Sequence, residues 1–283
     1  MAERSDFFIE PEALAERLGT AGLRLVDGSW YLAAMGRDAA AEFAAARIAG
    51  AVPFDVDAVA DTSSDLPHML PSPQAFGAAM GALGIGENDA IVVYDGPGLF
   101  SAARVAWTFR VMGASNVRIL EGGFDGWKAA GYPVEEGAPR PPSPATFAAK
   151  LAVDRVRDFD QMLANIRRGE SLVLDARPFA RFSGEAAEPR AGLASGHVPG
   201  SRSLPAGDLV KDGRLLDADA LREKLHAVAA HKAKHLTTSC GSGVTAAILS
   251  LALDLCGYEN HALYDGSWAE WGARKDAPIA RWA

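Results

Sequence analysis

The chain has 283 residues, of which 49% are hydrophobic and 23% are charged, as expected for a globular protein of two average domains. Its net charge of -8 gives no electrostatic reason to bind nucleic acid or an anionic membrane, so neither is a predicted partner. The cysteines are Cys240 and Cys256 alone, which excludes a disulfide framework and a cysteine metal site and favours a reducing cytoplasm.

The N-terminal part of the chain predicts alternating strands and helices. Residues 1–19 contain acidic side chains and no continuous apolar run, so we predict no signal peptide. Residues 23–30 (LRLVDGSW) then form an apolar run that stops near Asp27, as a buried strand does where it meets a loop. Residues 90–107 (AIVVYDGPGLFSAARVAW) contain a second such run that ends at Asp95. This alternation predicts an α/β fold with a mostly parallel central sheet flanked by helices.

The same series of segments occurs twice along the chain, in the same order and with spacings that agree to within a few residues. The matching positions are Asp27 and Asp175, Gly50 and Gly200, Asp95 and Cys240, and Trp127 and Trp271. Self-similarity of this kind is the sequence signature of a repeated fold. We therefore predict two tandem copies of one α/β domain.

A proline-rich segment separates the two copies. Residues 135–147 (EEGAPRPPSPATF) carry four prolines, which cannot sustain a helix or a central strand. The sequence thus predicts an N-terminal domain over residues 1–136, a semi-rigid linker over residues 137–150 and a C-terminal domain over residues 151–283.

The segment of residues 236–247 (LTTSCGSGVTAA) carries the clearest chemical signal. Cys240 ends a β-prone run, and the glycines that follow let the backbone curl and present several amides to one point before an apolar helix begins. Converging amides and a helix N-terminus stabilise a thiolate or another sulfur-borne anion. We predict that Cys240 is a reactive nucleophile, whereas Cys256, at the end of the apolar helix, is structural.

The residues around Cys240 argue against two common kinds of cysteine enzyme. Cysteine phosphatases close a similar loop with an arginine, but Ala246 stands six positions after Cys240 and the loop has no cationic side chain. A cysteine protease needs a histidine paired with the thiol, and no papain-like or caspase-like pattern surrounds Cys240.

Four segments together resemble the two-domain rhodanese-type sulfurtransferases, and within them the enzymes that take sulfur from 3-mercaptopyruvate. They are CGSGVT at 240–245, LDARPFARFSGEAAEPRAGLASGHVPGS at 174–201, FDVDAVADTSSDLPHMLP at 54–71 and LYDGSWAEW at 263–271. The resemblance implies two tandem rhodanese-like domains, the first catalytically inactive with Asp95 at the cysteine position. It implies that Cys240 of the second carries sulfur as a persulfide held by the loop amides, with no cofactor. The loop residues so assigned are Gly241, Gly243, Val244 and Thr245.

The sulfur donor can be argued from charge. Thiosulfate-preferring rhodaneses have basic residues in the active loop, whereas this loop has Ser242 at that position. A 2-oxo acid thiol needs a clamp for one carboxylate, and the planar fork of arginine suits that task. The resemblance assigns the clamp to Arg181 and Arg190, which favours 3-mercaptopyruvate as donor. Thiosulfate as donor, and a non-catalytic rhodanese-type binding module, remain as alternatives.

The resemblance also implies a relay in which Asp57 orients His68 and His68 polarises the Ser242 hydroxyl, which would assist the departing enolate. Asp61 and Asp65 are nearby alternatives to Asp57, and a purely structural role of His68 at the domain interface is the other interpretation. His197, which aligns with Arg47, is predicted to be structural. The sulfur acceptor is expected to be a thiol, either a protein such as thioredoxin or a small molecule.

Overall fold

The computed structural model describes residues 3–282, so the outermost positions of the predicted domains, 1–2 and 283, lie outside the described residues. In the N-terminal half the helices and strands, in chain order, are α1 Arg4–Phe7, β1 Phe8–Ile9, α2 Pro11–Ala15, β2 Leu23–Asp27, α3 Ala39–Ala45, β3 Arg47–Ile48, β4 Ala51–Pro53, α4 Pro73–Ala82, β5 Ala90–Tyr94, α5 Ala102–Val111, β6 Val117–Leu120, α6 Gly123–Ala129 and β7 Val134–Glu135. Ala33–Met35 form a short 3₁₀ turn.

The C-terminal half repeats this alternation. Its elements are β8 Val156–Arg157, α7 Phe159–Arg168, β9 Ser171–Asp175, α8 Phe179–Ser183, β10 Arg202–Ser203, β11 Val210–Lys211, β12 Arg214–Leu215, α9 Ala218–Ala227, β13 His235–Ser239, α10 Ala246–Leu255, β14 His261–Tyr264 and α11 Ser267–Trp271. Short 3₁₀ turns occur at Val153–Arg155, Ala206–Leu209 and Ala230–Lys232.

Each half is built on a five-stranded parallel sheet. The strand order is β1-β6-β5-β2-β4 in the first half and, taken from the matching edge, β8-β14-β13-β9-β10 in the second. The two orders are the same permutation of equivalent strands, so the predicted pair of tandem α/β domains is confirmed. The central strands β5 and β13 end immediately before Asp95 and Cys240.

Local sequence signals explain where several helices begin and end. Ser72, Asp158 and Asp217 each accept a hydrogen bond from a backbone N–H of the first turn of α4, α7 and α9, respectively. Gly169 ends α7 in the left-handed conformation, which a glycine adopts without steric cost.

The two halves share a continuous hydrophobic core. Helices α5 and α10, which follow the loops after Asp95 and Cys240, pack against each other and contribute apolar residues such as Val105, Ile248 and Leu251. Helices α5 and α10 therefore meet at the boundary between the two domains. No helix among residues 3–282 is long and apolar enough to cross a membrane.

The proline-rich segment is packed on the N-terminal half. Residues 139–152 form no helix or strand, but the Ala145 N–H donates to the Gly81 carbonyl and the Lys150 N–H to the Met112 carbonyl, each at 2.9 Å. The Phe147 ring is 4% exposed and lies 5.2 Å from the Phe76 ring, edge to face. The exact domain boundaries stay a prediction.

This packing makes Phe147 a structural anchor. We expect Phe147→Ala to lower the free energy of unfolding by about 3–5 kcal/mol, because it leaves a cavity in an aromatic cluster. Urea unfolding followed by tryptophan fluorescence measures this. Val153→Ala, at a side chain that is 71% exposed, is the matched control and is expected to change little. Equal behaviour of the two variants would contradict the anchoring role.

Candidate active site

Cys240 lies at the start of the loop between β13 and α10, held by the first turn of α11. The Cys240 N–H donates to Ser267 Oγ at 3.2 Å, and the Cys240 carbonyl accepts from the Trp268 N–H at 2.9 Å. Ser267 has a φ of 49°, a left-handed conformation that is uncommon outside glycine. The backbone of the cysteine is thus fixed from both sides before any side-chain contact is considered.

The equivalent loop of the N-terminal half shows what its amides are able to bind. The carboxylate of Asp95 accepts hydrogen bonds from the N–H groups of Gly98, Phe100 and Ala102 at 2.7, 2.8 and 2.9 Å. Asp95 is fully buried. Burial raises the pKa of Asp95, and the backbone amides that bond to it act in the opposite direction. The loop therefore surrounds an anion-accepting point, and in this half a carboxylate fills it.

In the equivalent loop of the C-terminal half, several backbone N–H groups have no acceptor among the described residues. Among the described residues, no protein acceptor receives the N–H groups of Ser242, Gly243, Val244 or Thr245. Gly243 has a φ of 78°, which allows the tight curl of the loop. Buried amides without an acceptor are unfavourable unless another group satisfies them. An anionic sulfur is an acceptor of the right kind for these amides, and Cys240 begins the loop that carries them.

A cleft of about 830 Å³ between the two halves leads to this loop. Cys240 itself is only 2% exposed, so the thiol lies at the inner end of the cleft. The N-terminal half contributes a mostly apolar wall of Trp30, Leu32, Met35, Pro97, Leu99 and Phe100. The C-terminal half contributes Arg181, Arg190, Cys240, Gly241, Ser242, Val244 and Thr245, so most of the predicted site residues meet here.

Arg181 is held over the loop by Glu188. Arg181 Nη2 lies close to the Gly241 backbone, 3.1 Å from the position that a Cβ of residue 241 would take. The Arg181 guanidinium is ion-paired with the Glu188 carboxylate. Glu188 is also bonded to the buried Arg177 at 2.7 Å, and Arg177 pairs with Asp175 at 2.6 Å. No sequence pattern singles out Glu188. Its charge offsets part of that of Arg181, while no carboxylate among the described residues pairs with Arg190.

His68 lies next to Asp57 and Arg190. Asp57 Oδ1 is 3.0 Å from His68 Nδ1, although the ring N–H is not aligned with the oxygen, so the pair is close without forming a well-directed hydrogen bond. Trp30 Nε1 donates to Asp57 Oδ2 at 2.9 Å and its ring meets the His68 ring edge to face. His68 Nε2 faces Arg190 Nη2 at 3.3 Å.

The structure therefore places Asp57 beside His68 without a well-directed hydrogen bond, and it shows none between His68 and Ser242 among the described residues. Asp57, rather than Asp61, is the acid beside His68; the Asp61 carboxylate instead accepts from the Ser63 hydroxyl. Among the described residues Ser242 has no hydrogen bond to His68, and Arg190 occupies the imidazole nitrogen that would reach it. The catalytic role of the relay stays a prediction.

The environment of His68 keeps its imidazole neutral at neutral pH. Burial lowers the pKa of His68 to about 4, with Arg104 and Arg190 acting in the same direction and Asp57 and Asp265 opposing them. When the proton of the neutral imidazole is assigned to Nδ1, the nitrogen next to Asp57, Nε2 is a hydrogen-bond acceptor. This assignment agrees with Arg190, whose N–H group points to Nε2.

Sequence analysis also missed a buried ion pair that crosses the domain boundary. Arg104 on α5 and Asp265 after β14 lie 2.7 Å apart, and both are almost fully buried. The signal was present in the sequence, because Arg104 is a lone charge in the apolar run of residues 102–109 and the position that matches it in the second half is Ile248.

Two further predicted groups have structural surroundings. His197 stacks on the Phe182 ring and its Nδ1 lies 2.8 Å from the Phe182 carbonyl oxygen, away from the cleft-lining residues. Arg47 at the matching position is fully buried and bonds to Glu135 and to the Gly137 carbonyl. Within residues 3–282, no cluster of three or more histidine, cysteine or acidic side chains has metal-binding geometry.

Comparison with known proteins assigns the chain to a family. A profile of the rhodanese-like domain matches residues 10–130 and residues 158–274. The chain is 41% identical over 287 residues to thiosulfate/3-mercaptopyruvate sulfurtransferase 2 of Arabidopsis thaliana, covering 94% of this chain and 84% of the relative. It is 40% identical over 276 residues to 3-mercaptopyruvate sulfurtransferase of Escherichia coli K12, covering 96% and 97%.

The fold agrees with this assignment. The crystal structure of SseA from Escherichia coli, described as a 3-mercaptopyruvate sulfotransferase with the rhodanese fold, superposes with a TM-score of 0.85 at 37% identity, covering 93% of this chain and 99% of SseA. The chain thus belongs to the rhodanese family and carries two copies of the rhodanese-like domain.

Proposed function

We propose that this protein is a 3-mercaptopyruvate sulfurtransferase that carries sulfur on Cys240. The observation that supports this most directly is the loop after Cys240, whose amides have no protein acceptor and which opens on a cleft flanked by Arg181 and Arg190. The loop suits a sulfur anion, and the arginines suit a carboxylate. The named activity of relatives that are about 40% identical over nearly the whole chain points the same way.

The first half-reaction transfers sulfur from the donor to Cys240. The carboxylate of 3-mercaptopyruvate binds Arg190 and Arg181, which brings its sulfur to the inner end of the cleft. The Cys240 thiolate attacks that sulfur, a new S–S bond forms, and the C–S bond breaks with its electron pair moving to the departing carbon. The product leaves as the enolate of pyruvate and takes up a proton. The Cys240 persulfide then accepts hydrogen bonds from the loop amides between residues 241 and 245.

The second half-reaction transfers the sulfur from Cys240 to an acceptor. An acceptor thiolate, or cyanide in an assay, attacks the outer sulfur of the persulfide and the Cys240 thiolate is released. Because the donor product leaves before the acceptor reacts, ping-pong kinetics are expected. The natural acceptor is proposed to be a thiol of a small molecule or of a protein such as thioredoxin. Such chemistry needs a reduced cysteine, which suits the cytoplasm, and both cysteines are free.

The relay is proposed to act once substrate is bound. Arg190 Nη2 donates towards His68 Nε2. A carboxylate on Arg190 competes for that donor, which leaves the neutral imidazole free to accept a proton. Ser242 lines the same cleft and its hydroxyl is suited to hydrogen-bond the departing enolate.

The persulfide proposal is tested at Cys240. We expect Cys240→Ser to abolish sulfur transfer because no nucleophile remains, and Cys256→Ser, at a partly buried position outside the cleft, to retain it. Mass spectrometry of wild-type protein treated with 3-mercaptopyruvate and no acceptor is expected to show one added sulfur atom on the Cys240 peptide. The absence of added sulfur there would support a non-catalytic binding module.

The donor assignment is tested at Arg190. We expect Arg190→Gln to raise KM for 3-mercaptopyruvate by about 10–100-fold, since one charge-assisted contact to the carboxylate is lost. The KM for thiosulfate is expected to change far less, because thiosulfate has no carboxylate. Steady-state kinetics with both donors measure the difference. A wild-type protein that turns over thiosulfate faster than 3-mercaptopyruvate would contradict the donor assignment.

The lowered pKa of His68 has a consequence for stability. The folded protein takes up this proton near pH 4, whereas an unfolded chain takes it up near 6.5, so the unfolded state binds more protons between these values. Stability is therefore expected to fall as the pH drops from 6.5 to 4, with His68 contributing on the order of 2–3 kcal/mol. Urea unfolding across this range, compared with His68→Gln, isolates the contribution. Identical pH profiles would contradict it.

A further inference from the structure

Arg104 reaches from the half without a catalytic cysteine into the catalytic half. It is the third residue of α5, and its side chain is 3% exposed. Its Nη2 donates to the His68 carbonyl at 2.6 Å and to Asp265 Oδ1 at 2.7 Å, and its Nη1 donates to the Gly243 carbonyl at 3.4 Å. One guanidinium thus connects the His68 segment, the Cys240 loop and the start of α11.

Each of these three partners lies in a backbone segment whose position shapes the site. Gly243 belongs to the loop that follows Cys240 and precedes α10, and a Cβ there would lie 2.8 Å from Arg104 Nη1. His68 has a φ of 62°, a conformation that needs support from its surroundings. Its carbonyl receives that support from Arg104, while the Leu70 N–H two residues on donates to Asp265 Oδ2 at 2.7 Å.

Asp265 extends the connection to the nucleophile. It is followed two residues later by Ser267, whose Oγ accepts the hydrogen bond from the Cys240 N–H. The Arg104–Asp265 pair therefore contacts one side of the catalytic loop at Gly243 and borders the segment that holds its other side at Cys240. Planar arginine is suited to this task because its fork serves several acceptors at fixed angles.

The repeat shows that the fold does not require this charge. The third residue of α10, which corresponds to Arg104 as the third residue of α5, is Ile248, and it packs in the shared core. An arginine at the buried position of α5 is unfavourable without partners, and all the recorded partners of its terminal nitrogens lie at the catalytic site. The guanidinium also lies over the Trp107 ring of its own helix, 4.6 Å from the ring centroid, but its three hydrogen-bond acceptors explain why a charge stands here.

We propose that Arg104 is a positioning residue for sulfur transfer, through which the cysteine-free half sets the geometry of the Cys240 loop. It touches no substrate atom and acts through the Gly243 carbonyl, the His68 peptide and Asp265. This proposal rests on the proposed sulfurtransferase function, but the contacts that carry it are independent of which sulfur donor is used.

Kinetics of single variants test the proposal. Arg104→Met is expected to lower the single-turnover rate of pyruvate release by about 100-fold, the effect of a displacement of the reacting group by about 1 Å. KM for 3-mercaptopyruvate is expected to stay within about threefold of wild type, because Arg181 and Arg190 are intact. Arg104→Lys, which keeps the charge but reaches fewer acceptors, is expected to give an intermediate rate. Arg190→Gln, in contrast, acts mainly on KM.

Arg4→Met is the matched control. Arg4 also crosses the domain boundary, with Nη2 donating to the Leu215 carbonyl at 2.8 Å and Nε paired with Glu121 at 2.6 Å, but it does not touch the catalytic loop. This variant is expected to keep the wild-type rate. An Arg104→Met protein that folds and keeps its single-turnover rate of pyruvate release within about twofold of wild type overturns the proposal, as does an equal loss in Arg4→Met.

A second measurement separates this proposal from the proposed function. Hydrogen–deuterium exchange of the peptide spanning residues 264–272, in which the Trp268 and Ala269 N–H groups donate to the Cys240 and Gly241 carbonyls, is expected to become faster in Arg104→Met and to stay unchanged in Arg4→Met. Wild-type protein that transfers no sulfur from either donor refutes the sulfurtransferase function, while unchanged exchange in the Arg104 variant refutes the positioning role. Should Arg104→Met not fold, Arg104→Lys decides: a wild-type single-turnover rate in that variant overturns the proposal.

Discussion

Backbone amides that converge in a buried loop need an acceptor, and both halves of this protein are organised around that requirement. A parallel sheet places the loop at the carboxyl end of its central strand, where ligands of such sheets bind. In the first half the loop closes on the Asp95 carboxylate, and the requirement is met permanently. In the second half Cys240 takes the place of Asp95, and the loop amides are left without a protein acceptor among the described residues. The difference between the two loops begins with one side chain at the end of a strand.

The half without the cysteine still supplies much of the site. Trp30 fixes Asp57, Asp57 lies beside His68, and Arg104 joins the His68 segment to the catalytic loop. These groups reach the second half because α5 and α10 pack against each other and bring the two equivalent loops to one boundary. A single copy of the domain would lack both one wall of the cleft and the buried cation behind the loop, which explains why the two copies form one structural unit.

The fold and the loop could be predicted from sequence because their signals are local. The alternation of apolar runs, the repeat and the glycines after Cys240 each describe a short stretch of chain, and the structure has the corresponding strands, sheets and turn. The contacts that complete the site join residues far apart in the chain. The pairing of Glu188 with Arg181, and of His68 with Arg190 rather than Ser242, depends on how loops and domains pack, which periodicity does not describe. Arg104 is an intermediate case, since a lone charge in an apolar helix indicates a buried partner without naming it.

The packed segment between the halves has a consequence for which molecules reach Cys240. A flexible tether would let the two walls of the cleft separate and expose the thiol. Here Phe147 is buried between the rings of the first half, and the backbone that follows is bonded to the end of α5 as far as Ala152. The cleft between the halves is therefore bounded by two walls that packed chain connects, with Cys240 buried at its inner end. Access to Cys240 is then a matter of reach, because a slender molecule or a protruding turn enters such a cleft while a flat surface does not.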